Sequence, residues 1–219
     1  MSEIIKKQVT CPKCAQSSEA SLLCSANTES DKTVRTAIFD GSLFEWKCPH
    51  CGCNTALLHP LLYNDIRNKF MIYYIPRMER ARVADEALDK QYTDIGFIRK
   101  RIVSNVNSLK EKIALFENGT NDMAVELAKY AVAEVVSKST GKGVSEGYFT
   151  DMSEAENTIS FQFFIGEDQR PYFQTTKYEV YARSLAIVKK CFPREERQGG
   201  FLNINRAWAR AALKKYKSS

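Results

Sequence analysis

Two cysteine pairs constrain this chain more than any other feature. Cys11-Pro12-Lys13-Cys14 and Cys48-Pro49-His50-Cys51 each set two thiols in one short turn. Such a turn aims both sulfurs at one point, and two turns complete a tetrahedron. Thirty-three residues separate Cys14 from Cys48, a length that adds only slowly to the entropy of closing the loop. Gly52 follows the second pair with the permissive backbone a knuckle turn uses, whereas Ala15 follows the first. The spacing predicts one structural Zn2+ ion on Cys11, Cys14, Cys48 and Cys51. A closed set of four thiolates leaves no position for a substrate.

C-x-x-C is also a redox motif, and that chemistry needs its first thiol at a helix N-terminus, where its pKa falls. Pro60 follows Cys51 within nine residues, and the stretch between reads as strand. A thiol switch is therefore the weaker alternative. Met1 to Thr10 has no apolar core, so no secretory signal is expected and a reduced, cytoplasmic compartment follows. Cys24 and Cys191 read as small buried hydrophobes. Cys53 is a poorly spaced competitor for the metal, and His50 a bystander inside the second knuckle.

No apolar run approaches a membrane span, so no membrane partner is expected. The net charge is +6 over 219 residues. From Lys189 onward nine Lys/Arg stand against two Glu, giving +7 and leaving −1 for the first 188 residues. Basic character belongs to the tail.

Along the chain, residues 1–10 read as a polar lead-in and 16–26 as a strand. Asp31 caps a short helix with Val34 and Ile38 that stops at Gly41. Leu43 to Trp46 delivers the second knuckle, and Phe70 to Ile75 is a strong strand ended by Pro76. The cysteine pairs, Asp40-Gly41-Ser42-Leu43-Phe44, Pro60-Leu61-Leu62-Tyr63-Asn64-Asp65 and Lys69 to Pro76 together resemble the CpXC family of prokaryotic proteins. The resemblance continues through Asn107 to Ile113 and Asp122 to Lys129. It implies zinc and a bacterial or archaeal source, and names no reaction. Ala15, Asn64 and the basic tail depart from the pattern.

Residues 79–96 mix both signs of charge and read as a linker or solvated helix. Beyond it the chain predicts a strand at 97–103 and a helix at 109–117 opened by a Ser108/Glu111 capping box. A helix at 122–138 follows, with Met123, Leu127, Tyr130, Ala131 and Val135 on one face. Residues 144–157 read as polar loop. Ile159, Phe161, Phe163 and Ile165 alternate as a half-buried strand, Tyr172 to Gln174 returns, and Thr176/Glu179 opens another helix. The fold class is α+β: a zinc ribbon with a small antiparallel sheet over 1–78, an α+β domain over 97–200, and a basic helix over 201–219.

In that last helix Ile204, Ala207, Trp208 and Ala211 form one stripe, and Arg206, Arg210, Lys214 and Lys217 another. The basic stripe keeps the tail soluble, contacts a nucleic-acid backbone, or meets an acidic protein surface or membrane face. No third histidine exists to build an open catalytic zinc, so no enzyme is expected. The sequence points to a structural-zinc protein that binds another protein, with nucleic-acid binding as the alternative.

Overall fold

The structure is a computed structural model and describes residues 2–76, 98–193 and 200–217. The charged segment read at 79–96 lies outside the described residues. The chain divides into two compact units, Met1–Lys110 with Gly199–Leu202, and Glu111–Gln198 with Asn203–Ser219.

The first unit holds a five-stranded sheet in the order β1-β2-β5-β6-β7. Its strands are β1 (Glu3–Thr10), β2 (Ser17–Asn27), β5 (Leu61–Asp65), β6 (Phe70–Tyr74) and β7 (Arg99–Val103). The sheet is mixed, not antiparallel throughout: β2/β5 and β6/β7 run parallel. β5 and β6 each bury four of five residues, as central strands must. The core includes Leu62, Met71, Ile75, Ile98, Ile102 and Phe201. Residues 3–10, read as a lead-in, pair with β2 along their whole length. Both faces of β1 mix apolar and polar residues and are largely exposed, so no apolar/polar alternation marks the strand.

Between β2 and β5 the chain makes α1 (Val34–Asp40), a 3-10 turn at Ser42–Phe44, and a hairpin of β3 (Glu45–Lys47) and β4 (Asn54–Ala56). The N-cap of α1 is Thr33, not Asp31, and it makes no side-chain cap; Asp31 Oδ1 instead braces the turn leading in, accepting from Thr33 N at 3.1 Å and Val34 N at 3.2 Å. Asp65 closes a local turn, accepting from Asn68 N at 3.0 Å.

The second unit packs helices on a three-stranded antiparallel sheet, order β10-β9-β8. The helices are α2 (Val106–Glu117), which crosses the unit boundary, α3 (Asp122–Thr140), α4 (Glu179–Cys191) and α5 (Arg206–Lys217). The strands are β8 (Val144–Ser153), β9 (Thr158–Ile165) and β10 (Arg170–Lys177). β9 alternates as its sequence demands, with Ile159, Phe161, Phe163 and Ile165 buried. β8 occupies the stretch whose composition predicts a polar loop; it is an edge strand that buries only Val144, and its pairing with β9 outweighs its composition. At Gly147 a Cβ would stand 2.5 Å from the Phe163 ring, so the glycine lets that ring lie against the backbone.

Both capping boxes give way to other devices. α2 starts at Val106, with Asn105 Oδ1 accepting from Ser108 N at 2.7 Å. Thr176 lies within β10, and α4 begins after Tyr178 with no side-chain cap. α3 buries Asp122 through Lys129 without a break, and leaves Val135 65% exposed. Its buried face is therefore wider than, and rotated from, the stripe ending at Ala131 and Val135.

Candidate metal centre and a cationic groove

The two knuckles are built alike. Thr10 pairs with Ser17 across residues 11–16, and Lys47 pairs with Asn54 across residues 48–53. Each cysteine pair thus sits in a six-residue hairpin tip. Cys11 N donates to Gln16 O and Ala15 N to Cys11 O, both at 2.9 Å. Cys48 N to Cys53 O and Gly52 N to Cys48 O repeat the pattern, again at 2.9 Å. The closing residue is left-handed in both, Ala15 at φ +58° and Gly52 at φ +69°.

An added methyl at Gly52 meets nothing nearer than Lys47 Cε at 4.0 Å, so its cost is conformational alone. Gly52→Ala is expected to destabilise the first unit by about 1 kcal/mol. Ala15→Gly, which relieves the same geometry, is expected to cost nothing. Thermal unfolding of both variants checks the pair.

The hairpin tips meet. Cys11 Sγ lies 3.6 Å from Cys51 Sγ, and Cys14 Sγ 3.7 Å from Cys48 Sγ. All four sulfurs are within 4.8 Å of one another. A tetrahedron with metal–sulfur bonds of about 2.3 Å has sulfur–sulfur edges of about 3.8 Å, so the set fits zinc. It is the one group among the described residues arranged to hold a metal. Cys53 points elsewhere, 3.6 Å from Asn54 O, and His50 is exposed. Cys48 opens a β-hairpin turn rather than a helix, so the helix-terminal setting of a redox C-x-x-C is missing.

The thiols cannot all ionise by themselves. A hydrogen bond from the Cys14 backbone N–H brings Cys11 down to about 6, against burial. Cys51 goes the other way: the Cys53 backbone pulls it down, but burial and the other three sulfurs push it up to about 12. Cys14 is also raised: the Gln16 backbone pulls it down, but burial and the sulfurs of Cys11 and Cys48 push it up. Crowded sulfurs resist sharing negative charge, and a divalent cation removes that conflict by displacing the protons.

His59 ties the second hairpin to the sheet. Its Nδ1 lies 2.9 Å from the Leu57 carbonyl oxygen and its Nε2 3.0 Å from that of Leu23. Phe44 packs its ring 5.5 Å from His59 and 5.3 Å from Tyr74.

In the second unit α3 and α5 bound an open groove of ≈ 980 Å³, lined by Tyr130, Glu134, Arg206, Ala207, Arg210, Ala211 and Lys214. Three of the four cations read as one stripe face it; Lys217 is exposed outside it. Arg206 is engaged already. Its guanidinium lies 6.0 Å from the Tyr130 ring and 3.7 Å from Glu134, and it donates to the Val144 carbonyl. The buried face of α5 is Ala209 and Ala212, with Trp208 on Phe192 at 5.5 Å, so Ala207 and Ala211 turn to the groove instead.

One cluster escaped sequence reasoning. Glu111, Lys112, Asp122, Glu126 and Lys129 are each at most 7% exposed. Lys112 Nζ meets Asp122 Oδ2 at 2.8 Å. Lys129 Nζ meets Glu111 Oε1 at 3.0 Å and Glu126 Oε2 at 2.9 Å. Glu111 also accepts from Phe149 N at 2.6 Å, engaging a backbone donor of edge strand β8. The only signal was charge recurring inside otherwise apolar helices.

An α+β chain with paired cysteine knuckles forms a definite class of metal-site protein. The CpXC protein family matches residues 9–129. That is more than half of the 219 residues, and the chain belongs to the CpXC family. No curated protein and no solved structure matches it. No helix among the described residues is long and apolar enough to cross a membrane.

Proposed function

We propose that Cys11, Cys14, Cys48 and Cys51 hold one structural zinc ion, and that the unit it braces is a cytoplasmic, non-enzymatic protein-interaction module. The observation behind this is the four-sulfur cluster with all sulfurs within 4.8 Å. Four thiolates fill zinc's coordination and leave no place for a substrate or an activated water. Elemental analysis of untagged protein tests it. One zinc per chain is expected, falling to near zero in Cys11→Ser/Cys48→Ser; metal-free wild-type protein overturns the reading. Affinity capture with the full chain is expected to recover a protein partner, and recovery of nucleic acid alone would displace the interaction role.

The groove favours a second reading, nucleic-acid binding. Cations along a groove can track a phosphate backbone, and the groove also holds the Tyr130 ring beside the Arg206 guanidinium. Single-stranded binding would weaken with a log–log salt slope of about −0.7 per phosphate contacted. Arg210→Ala is expected to lower that slope by about 0.7, whereas Lys217→Ala, outside the groove, is expected to change it less. Fluorescence anisotropy with labelled RNA and DNA checks this; no binding at low salt removes the reading.

A further inference from the structure

β1 is an outer strand of the five-stranded sheet, and among the described residues its second edge has no strand partner. The opposite outer strand is met at its middle by another segment. Leu202 bridges Arg101 of β7, with Ile102 N donating to Leu202 O at 3.0 Å. An open eight-residue edge presents unpaired N–H and C=O groups to another strand. Ile4 and Ile5 on it are 64% and 41% exposed.

The charge pattern of β1 says which strand fits. Side chains alternate; the ladder shifts between Glu3, opposite Ser25, and Ile4, opposite Leu23, but the extra residue lies in β2, so along β1 Glu3, Ile5 and Lys7 share one face and Ile4 and Lys6 the other. Lys6 is held by Glu19 of β2 at 2.8 Å. Two copies related by a two-fold axis pair antiparallel, and facing residues must point to the same side of the sheet. That leaves only registers centred on a residue. Centred on Lys6 or Lys7, lysine faces lysine. Centred on Ile4, Glu3 faces Ile5; centred on Glu3, glutamate faces glutamate; centred on Gln8, Val9 or Thr10, no opposite charges meet along the strand. Centred on Ile5, each Glu3 faces Lys7 of the second copy, Ile5 faces itself, and Ile4 faces Lys6. Opposite charges across a ladder stabilise it, and like charges destabilise it.

We propose that a second copy of this chain adds antiparallel to the β1 edge in the register centred on Ile5. The two sheets then join into one ten-stranded sheet through β1. This interface goes beyond the zinc reading and uses none of its ligands.

Sedimentation velocity of the full, metal-loaded chain at low salt tests it. The wild type is expected to pass from monomer to dimer between about 1 and about 100 μM, as a small interface does. Glu3→Lys and Lys7→Glu each turn two attractive pairs into two repulsive ones, and each is expected to weaken dimerisation about tenfold or more. Mixing the two single variants restores opposite charges at both positions, so the mixture is expected to dimerise like the wild type. Ile5→Lys is expected to abolish the dimer. Circular dichroism and zinc content, unchanged in every variant, separate lost association from lost folding and from failure of the metal reading. A wild type monomeric throughout, single variants that associate like the wild type, or a mixture that stays monomeric would each overturn the proposal. So would a wild-type mass that rises only on addition of another protein.

Discussion

Stripping the metal is expected to unfold the Met1–Lys110 unit while the helical unit keeps its structure. Structural zinc in small sites supplies on the order of 10 kcal/mol, as much as a whole domain's net stability. The four sulfurs join the tip of β1–β2 to the tip of β3–β4. Beyond them, His59 and Phe44 also tie the segment around the second hairpin to the sheet. Hydrogen exchange after chelation is the measurement. Amides of β1 to β6 are expected to lose protection, and those of α3 and β9 to retain it. Cys11→Ser is expected to act the same way. If chelated protein keeps the exchange pattern of the loaded form, the ion does not brace this unit.

The second large effect is expected at Lys129. Its ammonium is buried against two carboxylates, so Lys129→Met leaves Glu111 and Glu126 facing each other with only the weaker pull of Lys112 on Glu126 and the Phe149 N–H on Glu111 to offset them. Breaking a buried ion pair costs about 3–5 kcal/mol, readable as a fall in the denaturant midpoint of the second unit. Adding Glu111→Gln and Glu126→Gln to that variant is expected to recover most of the loss. Failure to recover would show that Lys129 acts through packing instead of charge.

The same cluster sets a pH dependence. Burial raises Glu126 above the ordinary carboxylate range; Lys129 and Lys112 pull against that and Glu111 adds to it. A carboxyl raised by folding binds more protons in the native state. Its contribution is complete below the unfolded pKa and is lost as pH rises through the folded one. Lowering the pH from about 7 to about 5 is therefore expected to add stability through this group, and Glu126→Gln is expected to flatten the slope. Burial alone would lower Lys129, but Glu111 and Glu126 outweigh it and hold it above the ordinary lysine range. The stability from Lys129 persists across neutral pH and is lost only in strong alkali.

Elements with strong local patterns were legible in the sequence. Alternating Ile159 to Ile165, the aromatic run Phe70 to Tyr74 and the short helix stopped by Gly41 all follow their periodicity or caps. The cysteine spacing led to the cluster of four sulfurs. What stayed hidden was set by tertiary pairing. β1 and β8 are polar strands held by their neighbours' ladders. Glu111 looks like a capping residue from its place after Ser108, yet in space it serves Lys129 and Phe149. The groove needs two helices far apart in the chain, so Tyr130 could not be linked to Arg206 from spacing alone.

The second hairpin lies inside the connection between the parallel strands β2 and β5. Parallel neighbours are slow to find each other, because a long stretch must close before any ladder bond forms. Joining the two knuckles first would shorten that search. During synthesis both cysteine pairs emerge ahead of β5, so an early-loaded ion could act as a kinetic latch. A chain whose site stays empty would then keep β5 and β6 bare for longer, and these are the segments most prone to coalesce.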